Sequence, residues 1–285
     1  MGIDRLRMGT DGNGITSLVT FYGCPLKCSF CLNPQCHREL SDVLFSRPEE
    51  VYNTVAVDEL YYLATGGGVT FGGGEPLLYS DFIISVLELG AKKWNVTIET
   101  SLNVPFEQID VLLPYINEMI VDIKDINPQI YRLYTQSNNQ IIIDNLKRLA
   151  DRGYAEKVTI RIPLIKGYNT DSDRLSSKNF LKRLGYSAFD LFEYKTDFAM
   201  TGKDKCTLLK SIRVRLAELN NITYTPHPCN NTEDCSGTCE MCDAESKWLL
   251  HTMRQLERKG FPITFSLNET DEFVVDKNVN VLDVL

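Results

Sequence analysis

Eight of the nine cysteines fall into two dense groups, and that is where the chemistry of this chain should be sought. Cys24, Cys28 and Cys31, with Cys36 close behind, form the first group; Cys229, Cys235, Cys239 and Cys242 form the second. Cys206, in a helical pattern between Lys205 and Thr207, reads as a buried structural thiol. The C-x3-C-x2-C spacing of the first group puts three thiolates on one short loop, a donor set suited to a soft centre such as an iron–sulfur cluster. A four-iron cluster takes four ligands, so three cysteines leave one iron open to an external molecule. A zinc site closed by Cys36 or His37 fits the same spacing, as do reduced core cysteines.

A second candidate is Gly72-Gly73-Gly74-Glu75-Pro76. Glycines let backbone approach a ligand closely, and a carboxylate beside them can accept hydrogen bonds from an ammonium group. A plain glycine-rich turn is the simpler reading of that motif alone. The dinucleotide-binding spacing is missing.

The elements that must hold these groups alternate. Ile15–Tyr22, Val69–Phe71, Val96–Thr100, Met119–Ile123, Lys157–Pro163 and Phe189–Tyr194 read as short apolar strands. Between them, Pro48–Ala64, Asp81–Ala91, Pro105–Leu113, Asn139–Arg152 and Asp173–Leu184 read as helices. Such βα repetition predicts an α/β fold, a parallel sheet covered by helices, either doubly wound or an open partial barrel. In both, ligands bind at the carboxyl ends of strands, where the cysteine and glycine motifs fall. Beyond residue 200 the rhythm changes: helix Lys203–Asn220, a polar cysteine-bearing loop, helix Asp243–Lys259 and a short strand at Ile263–Phe265. The expected organisation is a core over 1–200 and an extension over 201–285, with a metal-binding loop at 226–243.

Composition narrows the function. With 43% hydrophobic and 24% charged residues over 285 positions, the chain has the balance of a globular protein with a sizeable core. Thirty basic against 38 acidic residues leave a net charge of −8, which argues against a nucleic-acid partner. No apolar run reaches membrane-spanning length, and Met1-Gly2-Ile3-Asp4-Arg5 opens no secretory signal, so no membrane role and a cytoplasmic location are expected. Reduced cysteines in that compartment are ligands or thiols before they are disulfides.

Cys24-x3-Cys28-x-Phe30-Cys31 followed by Gly73-Gly74-Glu75-Pro76 resembles the radical S-adenosylmethionine (SAM) superfamily. The resemblance tightens toward the activating enzymes of glycyl radical enzymes. Asp11-Gly12-Asn13-Gly14-Ile15-Thr16 stands where they carry D-G-P-G-I-R, with Asn13 and Thr16 replacing proline and arginine. Cys31-Leu32-Asn33 is similar to their C-H-N, Gly68–Pro76 to G-V-T-x-S-G-G-E-P, Glu99-Thr100-Ser101 to D-T-N, and Val121-Asp122-Ile123-Lys124 to L-D-L-K. Arg161-Ile162-Pro163 resembles an R-x-P segment, whereas Tyr194-Lys195 stands where tyrosine and histidine are common.

The resemblance implies a partial (β/α)6 barrel and a [4Fe–4S] cluster held by Cys24, Cys28 and Cys31, its open iron chelated by SAM. An electron from flavodoxin or ferredoxin would then generate a 5′-deoxyadenosyl radical that abstracts hydrogen from a protein or peptide substrate. By position, Gly73, Gly74 and Glu75 would hold the methionyl amino group, and Lys124 and Asn33 would face its carboxylate. Glu99, Thr100 and Asp122 would line the ribose side or a cation site, joined by Arg161, and Asp11 would meet the substrate backbone.

The second cysteine group can close a coordination sphere of its own, giving an auxiliary [4Fe–4S] cluster or an all-thiolate zinc site. His227 reads as a loop histidine. The minimal activating enzymes lack this insertion, and its place after the barrel is similar to that of auxiliary clusters in peptide-modifying relatives. The reading taken is installation of a glycyl radical on a partner enzyme. Maturation of a ribosomally made peptide and a non-catalytic iron–sulfur or zinc scaffold stay open beside it.

Overall fold

A computed structural model describes residues 2–9, 11–39, 45–193, 202–228 and 239–267. Six short apolar runs become parallel strands in chain order: β2 (Ile15–Thr20), β3 (Gly68–Gly72), β4 (Asn95–Thr100), β5 (Glu118–Asp122), β6 (Val158–Arg161) and β7 (Ala188–Asp190). An edge strand, β1 (Gly2–Met8), pairs antiparallel with β2 and was not expected from its charged, broken pattern. Parallel neighbours require crossovers. These are α1 (Pro48–Val55) with α2 (Glu59–Thr65), α3 (Ser80–Glu88), α4 (Phe106–Asp110), α5 (Pro128–Thr135) with α6 (Gln140–Asp151), and α7 (Asp171–Arg183).

Side chains alternate across each strand. Val69 and Phe71, Val96 and Ile98, Met119 and Val121, and Val158 and Ile160 enter one hydrophobic core with the helices. Their neighbours Thr70, Thr97, Glu99, Asp122 and Arg161 occupy the other face. One face is therefore apolar and helix-covered while the other is polar, and the strand order never reverses. The result is the partial (β/α)6 barrel rather than the doubly wound sheet, which would reverse its strand order.

Three details differ from the sequence reading. The Pro48–Ala64 helix is interrupted by a 3-10 turn at Ala56–Asp58, which brings Asp58 inward to pair with Arg5. Helix α5 was missed. Ile263–Phe265 is not a strand, because Asn220 occupies its backbone: the Thr264 amide donates to Asn220 Oδ1 at 2.8 Å and Asn220 Nδ2 donates to the Thr264 carbonyl at 2.8 Å.

Helices α8 (Gly202–Leu219) and α9 (Glu240–Arg258) close the β1 edge of the barrel. Leu209, Ile212, Leu216, Leu249 and Met253 pack against Leu6, Ile15, Leu60 and Tyr61. Arg5 forks onto two carboxylates, Asp58 (2.6 and 2.8 Å) and Asp243 (2.8 and 3.1 Å), and so ties the edge strand to the start of α2 and to α9. No helix among the described residues is long and apolar enough to cross a membrane.

Between α8 and α9, Arg213 donates to Glu245 (2.6 Å), to Tyr61 (2.5 Å) and to Tyr224 (2.8 Å). Burial pushes the Glu245 carboxyl upward. The His227 amide, the Tyr224 hydroxyl, the His227 ring and Arg213 outweigh burial and bring it down to about 2. A depressed carboxyl stabilises the fold above its ordinary pKa of 4.5, and that contribution is lost as pH falls toward 2. Melting temperatures of Glu245→Gln, recorded from pH 6 to pH 3, are therefore expected to fall less steeply with acid than those of the unsubstituted chain. Parallel curves would contradict this account.

Candidate active site

The cysteine loop leaves the carboxyl end of β2, and the fold holds it from two sides. On one side is the glycine motif after β3. Phe21 N donates to the Gly72 carbonyl (3.0 Å), Gly74 N to the Phe21 carbonyl (3.1 Å), Glu75 N to the Gly23 carbonyl (2.8 Å) and Gly23 N to the Cys36 carbonyl (2.8 Å). On the other side is α5. Lys27 N and Ser29 N donate to the Thr135 and Tyr134 carbonyls, each at 3.0 Å, so the last turn of α5 finds acceptors' partners in the loop itself. Tyr134 donates to the Phe30 carbonyl (3.1 Å), and the Tyr168 hydroxyl donates to Ser29 Oγ (2.7 Å). Cys24, Cys28 and Cys31 remain half-buried on this doubly anchored loop, while Cys36 is buried.

Gly73 and Gly74 are glycines for separable reasons. Gly73 has φ of +88°, in the left-handed region, and an added Cβ would stand 2.6 Å from Thr20 Cβ. At Gly74 a Cβ would collide with the Gly23 carbonyl oxygen and stand 2.6 Å from that of Phe21.

Glu75 is completely buried. Its carboxylate accepts from Thr100 Oγ1 (2.5 Å), Ser101 Oγ (2.6 Å), Ser101 N (3.0 Å) and Leu77 N (3.3 Å). Burial raises its pKa, and the Ser101 and Thr100 hydroxyls oppose the rise. Glu75 and Thr100 thus act on each other, locking the glycine loop to the end of β4. Ser101, which the sequence reading matched to the D-T-N stretch without giving it a role, supplies two of the four bonds. For Glu75→Gln we expect a loss of about 1–3 kcal/mol of stability, because an amide cannot accept at both oxygens, with weaker SAM binding. Equilibrium denaturation and equilibrium dialysis check both, and unchanged values in each would refute the role.

Charged groups line the polar face. Arg161 bridges Glu99 (2.6 Å) and Asp190 (3.0 Å) across β4, β6 and β7. Burial raises the Glu99 carboxyl and Arg161 opposes it. After β5, Lys124 has φ of +37°, and this left-handed turn lets its ammonium fold back onto Asp122. Asp122 Oδ1 and the Tyr131 hydroxyl are buried without a hydrogen-bond partner. Both lie in the electrostatic neighbourhood of Cys28. Burial pushes Cys24 up to about 12 and Cys28 to about 11, with Lys124 opposing the shift at Cys28. Both thiols keep their protons at neutral pH until a metal displaces them.

Asp11 lies deep under this face, on the β1–β2 connection. Its carboxylate pairs with Arg7, and its carbonyl accepts from Thr70. Asn33 sits at the far end of the cysteine loop, where its Oδ1 accepts from Gln35 Nε2 at 3.1 Å. A cavity of about 1030 Å³ opens between this loop and the segments after β6 and β7, lined by Cys28, Cys31, Lys166, Asn169 and Glu193 among others.

Among the described residues no three or more His, Cys, Asp or Glu side chains already converge on one metal position. Cys229, Cys235 and the Tyr194-Lys195 pair lie outside the described residues. Cys239 begins α9 and Cys242 is buried one turn later.

Three thiols on one loop, a glycine loop bonded to it and a charged polar face lie together at the strand ends, where enzymes of this α/β class bind their ligands. A family model described as "Radical SAM superfamily" matches residues 18–178. Among curated relatives, the (2S)-3-sulfopropanediol dehydratase activating enzyme of Klebsiella oxytoca is 33% identical over 185 residues, covering 63% of this chain and 56% of that protein. The pyruvate formate-lyase-activating enzyme of Listeria monocytogenes is 32% identical over 199 residues, covering 66% and 79%. A solved domain of pyruvate-formate lyase-activating enzyme from Bacteroides vulgatus is 26% identical, covers 54% of this chain and 92% of that one, and superposes with a TM-score of 0.41. The chain belongs to the radical SAM superfamily, among the activating enzymes of glycyl radical enzymes.

Membership carries a [4Fe–4S] cluster and SAM. The residues present fit both. The donor set is three thiols on one loop, and Asp122 Oδ1 and the Tyr131 hydroxyl are buried polar atoms without a hydrogen-bond partner in the electrostatic neighbourhood of Cys28.

Proposed function

We propose that this chain installs a glycyl radical on a partner enzyme. When bound, the cluster supplies one electron to SAM, which yields methionine and a 5′-deoxyadenosyl radical able to abstract a hydrogen atom. The protein's contribution is placement. Cys24, Cys28 and Cys31 would hold the cluster, and the backbone of Gly73 and Gly74, kept in place by buried Glu75, would receive the methionyl ammonium. Lys124 and Asn33 face the carboxylate as positive and polar groups. Glu99, Thr100, Asp122 and Arg161 border the ribose side, and Asp11 meets the substrate backbone from below. The strand-end walls exclude water from the reacting centre. A flavodoxin or ferredoxin donates the electron.

One observation carries this reading: the cysteine loop and the glycine loop are hydrogen-bonded into a single unit above the charged face of the barrel. Phe30 and Leu32, 54% and 68% exposed beside Cys31, give a protein substrate an apolar rim to meet. The direct test is anaerobic incubation of reduced, reconstituted chain with SAM and the glycyl radical enzyme encoded nearest to it. A glycyl doublet in the electron paramagnetic resonance spectrum of that partner is expected. 5′-Deoxyadenosine without a doublet on any such partner would redirect the activity to peptide maturation, and no 5′-deoxyadenosine at all would leave only a scaffold.

The C-terminal cysteines support a second metal centre in the extension over 201–285, an auxiliary cluster or zinc at Cys229, Cys235, Cys239 and Cys242. Metal analysis of the anaerobically purified chain distinguishes the two by iron and sulfide against zinc.

A further inference from the structure

Cys206 is isolated in sequence, but the fold removes that isolation. It lies on α8, 6% exposed, with its Sγ 4.0 Å from Sγ of Cys242 on α9. Cys239 is the N-cap of α9, and its side chain hydrogen-bonds Cys242 three residues on. Three thiols from two helices are thus linked in pairs through Cys242, without all three converging on one position.

Their spacing is chemically informative. A disulfide needs sulfurs about 2.05 Å apart, so Cys206 and Cys242 are not bonded. Two thiolates on one tetrahedral ion, with metal–sulfur bonds of about 2.3 Å, stand about 3.8 Å apart. Thiolates capping different irons of a cubane are held further apart, because each binds its own corner. The observed 4.0 Å matches the single ion. Cys239 and Cys242 sit at the start of α9, and Arg213, with no exposed side-chain surface and paired with Glu245, is a positive neighbour that opposes the rise burial imposes on the Cys242 thiol.

We propose that Cys206, Cys239 and Cys242 are ligands of one mononuclear thiophilic ion, zinc by class, which clamps α8 to α9. Binding forms three metal–sulfur bonds and releases the three thiol protons to solvent, with no change of oxidation state. A further donor takes the remaining position. The inference rests on the reading of a second metal centre in the C-terminal region, but it replaces a set drawn from one sequence cluster with a set that spans both helices.

The test uses the full chain with Cys24, Cys28 and Cys31 all changed to Ala, so that only the C-terminal site remains. Desalted after loading with zinc alone, this protein is expected to retain about one ion per chain, and Cys206→Val in the same background to bind it at least about tenfold more weakly. Valine keeps the site apolar and filled, and far-UV circular dichroism reports whether the helices persist. Cysteine alkylation mapped by mass spectrometry needs no variant at Cys206: its modification should rise when a chelator removes the zinc. Zinc affinity unchanged in Cys206→Val, or no rise in Cys206 alkylation, overturns the proposal. Uptake of iron and sulfide that zinc cannot displace overturns its mononuclear part. A background protein that retains neither metal defeats the second-centre reading itself.

Discussion

Cys28→Ala is expected to reduce 5′-deoxyadenosine release from SAM by at least about a thousandfold, the scale seen when one member of an interdependent catalytic set is removed. Cys28 lies at the centre of the loop, with Lys124 and Asp122 in its electrostatic field and Tyr131 beside it. The bonds that fix the loop are made by the amides of Lys27 and Ser29, not by the thiol, so the variant should fold. It should be iron-poor with a near-normal melting temperature, and that pairing separates a lost ligand from a lost fold. Product measured by chromatography and iron measured on the same sample decide it. Wild-type product from Cys28→Ala would remove Cys28 from the cluster.

Gly74→Ala should be the most damaging single methyl in the barrel's upper rim. The new Cβ meets two backbone carbonyls, those of Gly23 and Phe21, and comes 3.2 Å from Cys36 Cβ. Backbone cannot swing aside as a side-chain tip can. Those same carbonyls accept from Glu75 N and Gly74 N, so making room breaks the bonds that join the glycine loop to the cysteine loop. Overpacking of about 1–3 kcal/mol and two weakened hydrogen bonds of about 1 kcal/mol each give an expected loss of about 3–5 kcal/mol. At about 2–4 °C per kcal/mol for a chain of this class, the melting temperature should drop by about 6–20 °C. SAM binding should fall with it, since the loop that receives the ammonium is displaced. A melting temperature and SAM affinity both within error of the unsubstituted chain would show that the two loops are not a unit.

The residues that bear the chemistry were legible in the sequence because they are contiguous. Three thiols within eight positions and a glycine run at a strand end identify themselves without knowledge of what surrounds them. What supports them was less visible. Helix α5 has its signals, an Asn127 cap bonded to Gln129 N and Ile130 N and Pro128 in the first turn, yet only eight residues carry them. Its purpose, to offer the Tyr134 and Thr135 carbonyls to a loop a hundred residues earlier, is long-range. Glu75 shows the same limit. The sequence places a carboxylate beside two glycines and suggests a ligand for an ammonium group. The structure adds that Thr100 and Ser101 from the next strand claim both of its oxygens. Edge strand β1 escaped notice because Asp4, Arg5 and Arg7 interrupt its apolar pattern; Arg5 pairs with Asp58 and Asp243, and Arg7 with Asp4 and Asp11. Cys206 looked solitary because helix packing, not chain order, brings it to Cys242.

The central claim is a cluster tethered by Cys24, Cys28 and Cys31 with one iron open to SAM. Electron paramagnetic resonance of the anaerobically reconstituted, dithionite-reduced chain, recorded before and after addition of SAM, tests it most directly. A reduced-cluster signal whose g values shift on SAM addition, and which is lost in the Cys24, Cys28, Cys31→Ala chain, is the predicted result. A signal indifferent to SAM, or one that survives removal of the three cysteines unchanged, would contradict it.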